Sequence, residues 1–186
     1  MKQFLNFLKD FANDTRGVTS IEFVLAFPIF FGFFLMTYES GMISVKHVML
    51  ERGVDIAVRD VRIGRMPNPT REQLRTRICA VALIIPDCEA QLDLEMLRRD
   101  PTAWVALPAE VECINRGDLN EEEEDIDTTA NNELMFLRVC ARIDPLLPTS
   151  GLGRAIVRAN DNDFDGGSLK LVSIAAFVVE PFRVEE

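Results

Sequence analysis

The chain has 186 residues, with 20 Lys+Arg against 30 Asp+Glu, one His, four Cys and a net charge of −10. That balance leaves no basic face for a nucleic acid, and a single imidazole excludes His-rich metal sites and leaves only His47 for any His-dependent catalytic pair. Apolar residues at 48% are too many for a disordered chain, and the length fits one globular domain with an appendage.

Residues 1–17 carry Lys2, Lys9 and Arg16 against Asp10 and Asp14, a net of +1. Residues 18–65 balance to zero, and the remaining 121 residues carry −11. A short, slightly basic stretch before an apolar run stays in the cytoplasm while the following chain is exported. The acidic bulk is therefore expected outside the cytoplasm.

The apolar run covers residues 18–38, and 23–38 hold no charge. At 1.5 Å per residue it spans about 30 Å, one bilayer core. Its six Phe leave no polar face, unlike a helix packed on a soluble core. No A-x-A-like site follows it, as an ordinary secretory signal would require. A membrane-spanning helix is predicted.

Two residues in this run are anomalous. Glu22 is a carboxylate four residues inside it, costing about 2.5–3.5 kcal/mol on insertion scales unless it is paired or snorkels to the interface. Pro28 deprives the Val24 carbonyl of its usual donor, which neighbouring helices accommodate or which bends the segment.

Beyond Tyr38, apolar residues recur among charges at helical spacing, so one helix is predicted over 18–64, its stem half ending at Pro67-Asn68-Pro69. Gly41 and Gly53 each weaken it by about 1 kcal/mol relative to Ala. His47 lies on the stem with no nucleophile near it in sequence, so no catalytic role is expected.

In the remainder, Thr70 and Gln73 form a capping box opening a helix predicted to run to Pro86. Strands are predicted at 91–97, 105–113 (loosely, around Pro108), 133–143 and 168–179. The expected fold is α+β: a long N-terminal helix, then a small exported head of one helix packed on an antiparallel sheet of about four strands. The expected divisions are 1–17 leader, 18–38 transmembrane helix, 39–66 amphipathic stem and 67–186 head.

Cys79, Cys88, Cys113 and Cys140 all lie in the head, without C-x-x-C spacing, which argues against a zinc or redox site. An even count in an oxidising compartment reads as two disulfides. Three pairings exist; Cys79–Cys88, tying a helix to its following turn, and Cys113–Cys140, bridging two strands, are expected. Residues 121–127 read most simply as a solvated acidic loop, with divalent-ion binding the minority reading. Asp161, Asp163 and Asp165 with Gly166 follow the order of a calcium loop, but Val172 stands where such a loop needs Glu. The stretch reads first as a turn, with calcium the minority alternative and no other cofactor expected.

Around the start of the apolar run, Arg16-Gly17-Val18-Thr19-Ser20-Ile21-Glu22-Phe23 resembles the class III signal of type IV pilins and pseudopilins. With the Phe-rich segment, Pro28, the long stem and the closing Val178-Val179-Glu180-Pro181-Phe182, the chain resembles a TadE-like minor pilin of the tight-adherence (Flp) pilus systems of bacteria. The resemblance implies cleavage after Gly17 by a prepilin peptidase, Val18 as mature N-terminus, and Glu22 as the assembly carboxylate that neutralises a neighbouring subunit's terminal amine. It implies as partners other minor pilins, the major Flp pilin and the inner-membrane assembly platform. It also implies a head on the periplasmic side and then at the cell surface. The major pilin has almost no head, so one of about 120 residues implies a minor subunit.

Two other classes compete. One is an uncleaved, membrane-anchored exported module using its acidic head as an adhesin or cation binder. The other is an anchored enzyme, disfavoured because no nucleophile–base pair or Gly-rich phosphate loop occurs.

Overall fold

The computed structural model describes residues 18–103, 105–109, 111, 113–114, 126–127, 132–148, 151–160 and 167–181. The order is α1 (Val18–Arg62), α2 (Arg71–Cys79), α3 (Cys88–Gln91), β1 (Leu92–Arg99), β2 (Leu134–Ile143), α4 (Gly151–Asn160) and β3 (Leu169–Val178). The chain divides into two compact units, residues 1–40 and 41–186, and α1 contributes to both.

In the first unit, the described residues form the N-terminal part of α1. The helix is long and apolar enough to cross a membrane, and no part of its apolar window is buried. That separates it from the core helix of a soluble domain, which hides its apolar surface against neighbours. The helix continues through Pro28.

The second unit is α+β. Its three strands form one antiparallel sheet in the order β1-β2-β3. Buried α1 positions recur at spacings of four and three: Lys46, Leu50, Gly53, Ala57 and Asp60. This near-3.5 period keeps one seam of the helix against its neighbours. Leu50, Val54, Ala57 and Val61 share a core with Leu74 and Ile78 of α2 and the inward sheet residues, among them Leu94, Met96, Leu137, Val139 and Leu171.

β2 is buried on both faces, as a central strand should be. Its outward face carries Arg138, whose Nε lies 3.0 Å from the Oε1 of Glu95, its cross-strand partner. Arg142 on the same face donates to the Ser168 hydroxyl at 3.2 Å. Cys140, between them, is tied to Cys113.

Three expectations are corrected. The helix opening at the Thr70 cap, where both halves of the capping box form, ends at Cys79 instead of Pro86. Continuing it would separate Cys79 and Cys88 by about 13 Å along the axis, whereas their disulfide holds the Cα atoms 5.7 Å apart. Turns take over, and Asp87 reverses the chain with φ 46°.

The strand expected at 105–113 is absent from its described residues, 105–109, 111 and 113. Pro108 lacks the donor a ladder needs. The outer edge of β1 is taken by Asp127, whose N–H donates to the Met96 carbonyl and whose carboxylate accepts from the Arg98 N–H. Among the described residues the sheet therefore has three strands. Finally, α4 is an additional helix, its Val157 buried and its Ile156 packed on the core.

Candidate functional site

The residues singled out at the start of the apolar run lie at the N-terminal end of α1. Gly17 and the residues before it, expected as a leader, fall outside the described residues; Val18 is the first helical residue described. Glu22 follows one turn later, about 6 Å along the axis, with its side chain exposed. The helix here is built from apolar and β-branched residues, and those from 19 to 31 are exposed. Within this unit, Glu22 is thus an uncovered acid on an otherwise apolar rod.

One face of that rod is a ladder of rings. Phe23–Phe27, Phe27–Phe31 and Phe31–Phe34 have centroids 5.3, 5.5 and 6.3 Å apart, the consequence of i+4, i+4 and i+3 spacing. At 100° per residue, Glu22 projects about 130° round the helix from the ladder. The acid and the aromatic stripe therefore face different neighbours. Thr37, near the end of the apolar run, donates its hydroxyl to the Phe33 carbonyl at 2.9 Å, an internal partner that a polar group needs in lipid.

The stem is fastened to the sheet at two points. His47 Nε2 lies 3.1 Å from the Val172 carbonyl oxygen, toward which it directs its proton, and 3.8 Å from Glu51 Oε1. Arg62 Nε donates to Glu180 Oε1 at 3.1 Å, and the Glu180 N–H donates to the Arg62 carbonyl at 3.4 Å. His47 is thus a structural donor. Asp60, deep in the seam, receives Arg77 Nε at 2.7 Å and Arg65 Nη1 at 3.5 Å.

The cysteines carry no reactive thiol. Cys79 pairs with Cys88 and Cys113 with Cys140, which accounts for all four. Among the described residues no cluster of His, Cys, Asp and Glu could hold a metal. The calcium-like Asp161, Asp163 and Asp165 lie outside them, as does most of the acidic stretch 121–127.

At the far end of β1 and β2 a hollow of about 310 Å³ is lined by Arg98, Arg99, Asp100, Pro101, Asn132, Glu133 and Leu134. Arg98 is neutralised by Glu133 at 3.1 Å. Hydrogen bonds from the Thr102 hydroxyl and N–H hold the Asp100 carboxyl below the usual carboxylate range. Nothing in the hollow combines a nucleophile with a base.

A single helix long and apolar enough to cross a membrane among the described residues, a stem fastened to a disulfide-braced α+β head, and an acid near the start of the helix are consistent with the class of membrane-anchored proteins. Residues 17–59 match the family model of TadE-like proteins. The match begins at Gly17, takes in Glu22 and the apolar run, and ends within the stem; the head lies beyond it. No curated protein and no solved structure matches the chain.

Proposed function

We propose that the chain is a minor pilin or pseudopilin, processed by a prepilin peptidase after Gly17 and assembled into, or at an end of, a Tad/Flp pilus. The observation that carries this reading is the TadE-like match, which starts at the cleavage glycine and spans the helix bearing Glu22. Before assembly residues 18–38 anchor the chain in the inner membrane, with the head in the periplasm. The assembled subunit reaches the cell surface and serves pilus biogenesis and adhesion.

Cleavage frees an ammonium at Val18, and Glu22 is the acid one turn away on the same helix. Each ion alone is costly in lipid, and the pair is tolerable. In a filament, the Glu22 of one subunit neutralises the terminal amine of its neighbour. Its partners are the prepilin peptidase, other minor pilins, the major Flp pilin and the inner-membrane assembly platform. Neither a catalytic residue nor a cofactor has a part.

Intact-mass measurement with and without a co-expressed prepilin peptidase tests the processing. A mature chain beginning at Val18 is expected; a leader retained with active peptidase present would point instead to a static exported binding module. Glu22→Ala is expected to leave insertion and cleavage intact while pilus incorporation falls at least about tenfold, the loss of roughly 1.4 kcal/mol of subunit contact. Wild-type incorporation of that variant overturns the pairing mechanism.

A further inference from the structure

We propose that the hollow at the far end of β1 and β2 is a carboxylate-binding site, in which Arg99 receives an acidic side chain or a terminal carboxylate from an apolar segment of a partner protein. Its volume of about 310 Å³ is at the small end of ligand sites and suits one such residue. Four charged side chains line it, and three of them are already engaged. Arg98 is paired with Glu133 at 3.1 Å. The Thr102 hydroxyl and N–H both donate to Asp100 Oδ1, at 2.7 and 2.8 Å, which turns that carboxylate toward its own loop.

Arg99 differs. Its Nη1 donates to the Arg98 carbonyl at 3.0 Å, and among the described residues this is its one hydrogen bond and no carboxylate pairs with it. Its Nε is buried without an acceptor. In a guanidinium Nη1 lies on the Cδ side, so Nε and Nη2 share the other edge and present two parallel N–H groups. Solvent does not serve a buried Nε, and an unmet buried donor is costly. Two parallel donors match the two oxygens of a carboxylate.

The surroundings of Arg99 define the rest of the ligand. On the outward face of the sheet, Arg99, Leu134 and Val178 stand in one row across β1, β2 and β3, and Leu97, Phe136 and Ala176 form the next. Val178 and Ala176 are exposed, while Leu97, Leu134 and Phe136 are half-buried. A carboxylate seated on Arg99 therefore brings its neighbouring residues onto apolar surface, which favours an acid set among apolar residues. A phosphate fits less well, because Asp100 and Glu133 on the rim oppose a second negative charge.

This site does not rest on processing or assembly of the chain, and its test is separate from theirs. The full chain, carrying nitrogen-labelled arginine in detergent micelles, is titrated with three peptides. They are N-acetyl-Val-Val with a free terminal carboxylate, N-acetyl-Val-Glu amide, and the neutral N-acetyl-Val-Val amide. With either acidic peptide the Arg99 Nε–H resonance is expected to move downfield and its hydrogen exchange to slow at least about tenfold. The neutral amide is expected to leave it in place. The tighter of the two acidic peptides tells a terminal from a side-chain carboxylate. Inorganic phosphate is expected to bind at least about threefold more weakly than either. Arg99→Lys keeps the charge but loses the fork, and is expected to raise the Kd for the acidic peptides at least about tenfold, read from the Arg98 resonance.

An Arg99 resonance unmoved by both acidic peptides overturns the site. Equal movement with the neutral amide overturns it as well, since only an apolar contact would remain. So does an equal midpoint at Arg158, exposed on α4, which would reduce the effect to general charge attraction. If replacing Glu121–Glu124 by Gln and Asp125 by Asn moves the Arg99 resonance of the unliganded chain, the chain's own acids are the occupant and the partner is overturned. Should Arg99→Lys fail to fold, the titrations of the unaltered chain decide.

Discussion

At Gly53 the stem passes close against α2. A Cβ added there would lie 2.8 Å from the Ile78 backbone oxygen, a contact that only a backbone shift relieves. Gly53→Ala is expected to destabilise the head by about 1–3 kcal/mol, despite the better helix propensity of Ala. Gly41→Ala meets nothing within 4 Å and is expected to stabilise by about 0.5–1 kcal/mol. Thermal unfolding of the detergent-solubilised chain, followed by circular dichroism, reads both signs. In the sequence the two glycines look alike, because propensity is local and the crossing at Ile78 is not.

Asp60 shows the same limit. Its side chain is 8% exposed, against 38% for Arg77 and 71% for Arg65. Arg77→Ala strips a buried carboxylate of its closer cation, with an expected loss of about 2–3 kcal/mol. Arg65→Ala is expected to cost under about 1 kcal/mol. Equal losses on urea unfolding would remove the distinction. Glu22, in contrast, is legible without any structure, since a charge in an apolar run needs no partner in view to be conspicuous.

At the level of elements, long periodic signals survive and short ones give way to tertiary constraints. The helix expected over 18–64 is α1, because apolar length and helical spacing agree along it. The strands expected at 91–97, 133–143 and 168–179 correspond to β1, β2 and β3 within two residues at each end. The stretch 105–113 offered only loose alternation broken by Pro108, and its Cys113 reaches β2 through a disulfide instead of a ladder. Helix α4 went unread because Gly151 and Gly153 are poor helix formers, although Leu152, Ile156 and Val157 carry helical spacing.

The two disulfides differ in reach, with sequence separations of 9 and 27. On chain entropy alone the shorter contributes about 2.7 kcal/mol and the longer about 3.6 kcal/mol. Cys113→Ala with Cys140→Ala is therefore expected to lower the melting temperature more than Cys79→Ala with Cys88→Ala. A reversed order would show that strain or packing dominates.

For the whole molecule, composition alone separated an apolar run from an acidic remainder, and the structure divides at residues 40 and 41. The family match stops at residue 59, so the head's particular arrangement of sheet, caps and bridges had to be read from its coordinates. The ties at His47 and Arg62 have a mechanical consequence. Because α1 and β3 run the same way and are joined near both ends, tension on the helix along its axis loads those joints and the seam between them together, in shear. Peeling would instead break them one after another. An axial pull on the stem would then be borne by the whole seam at once.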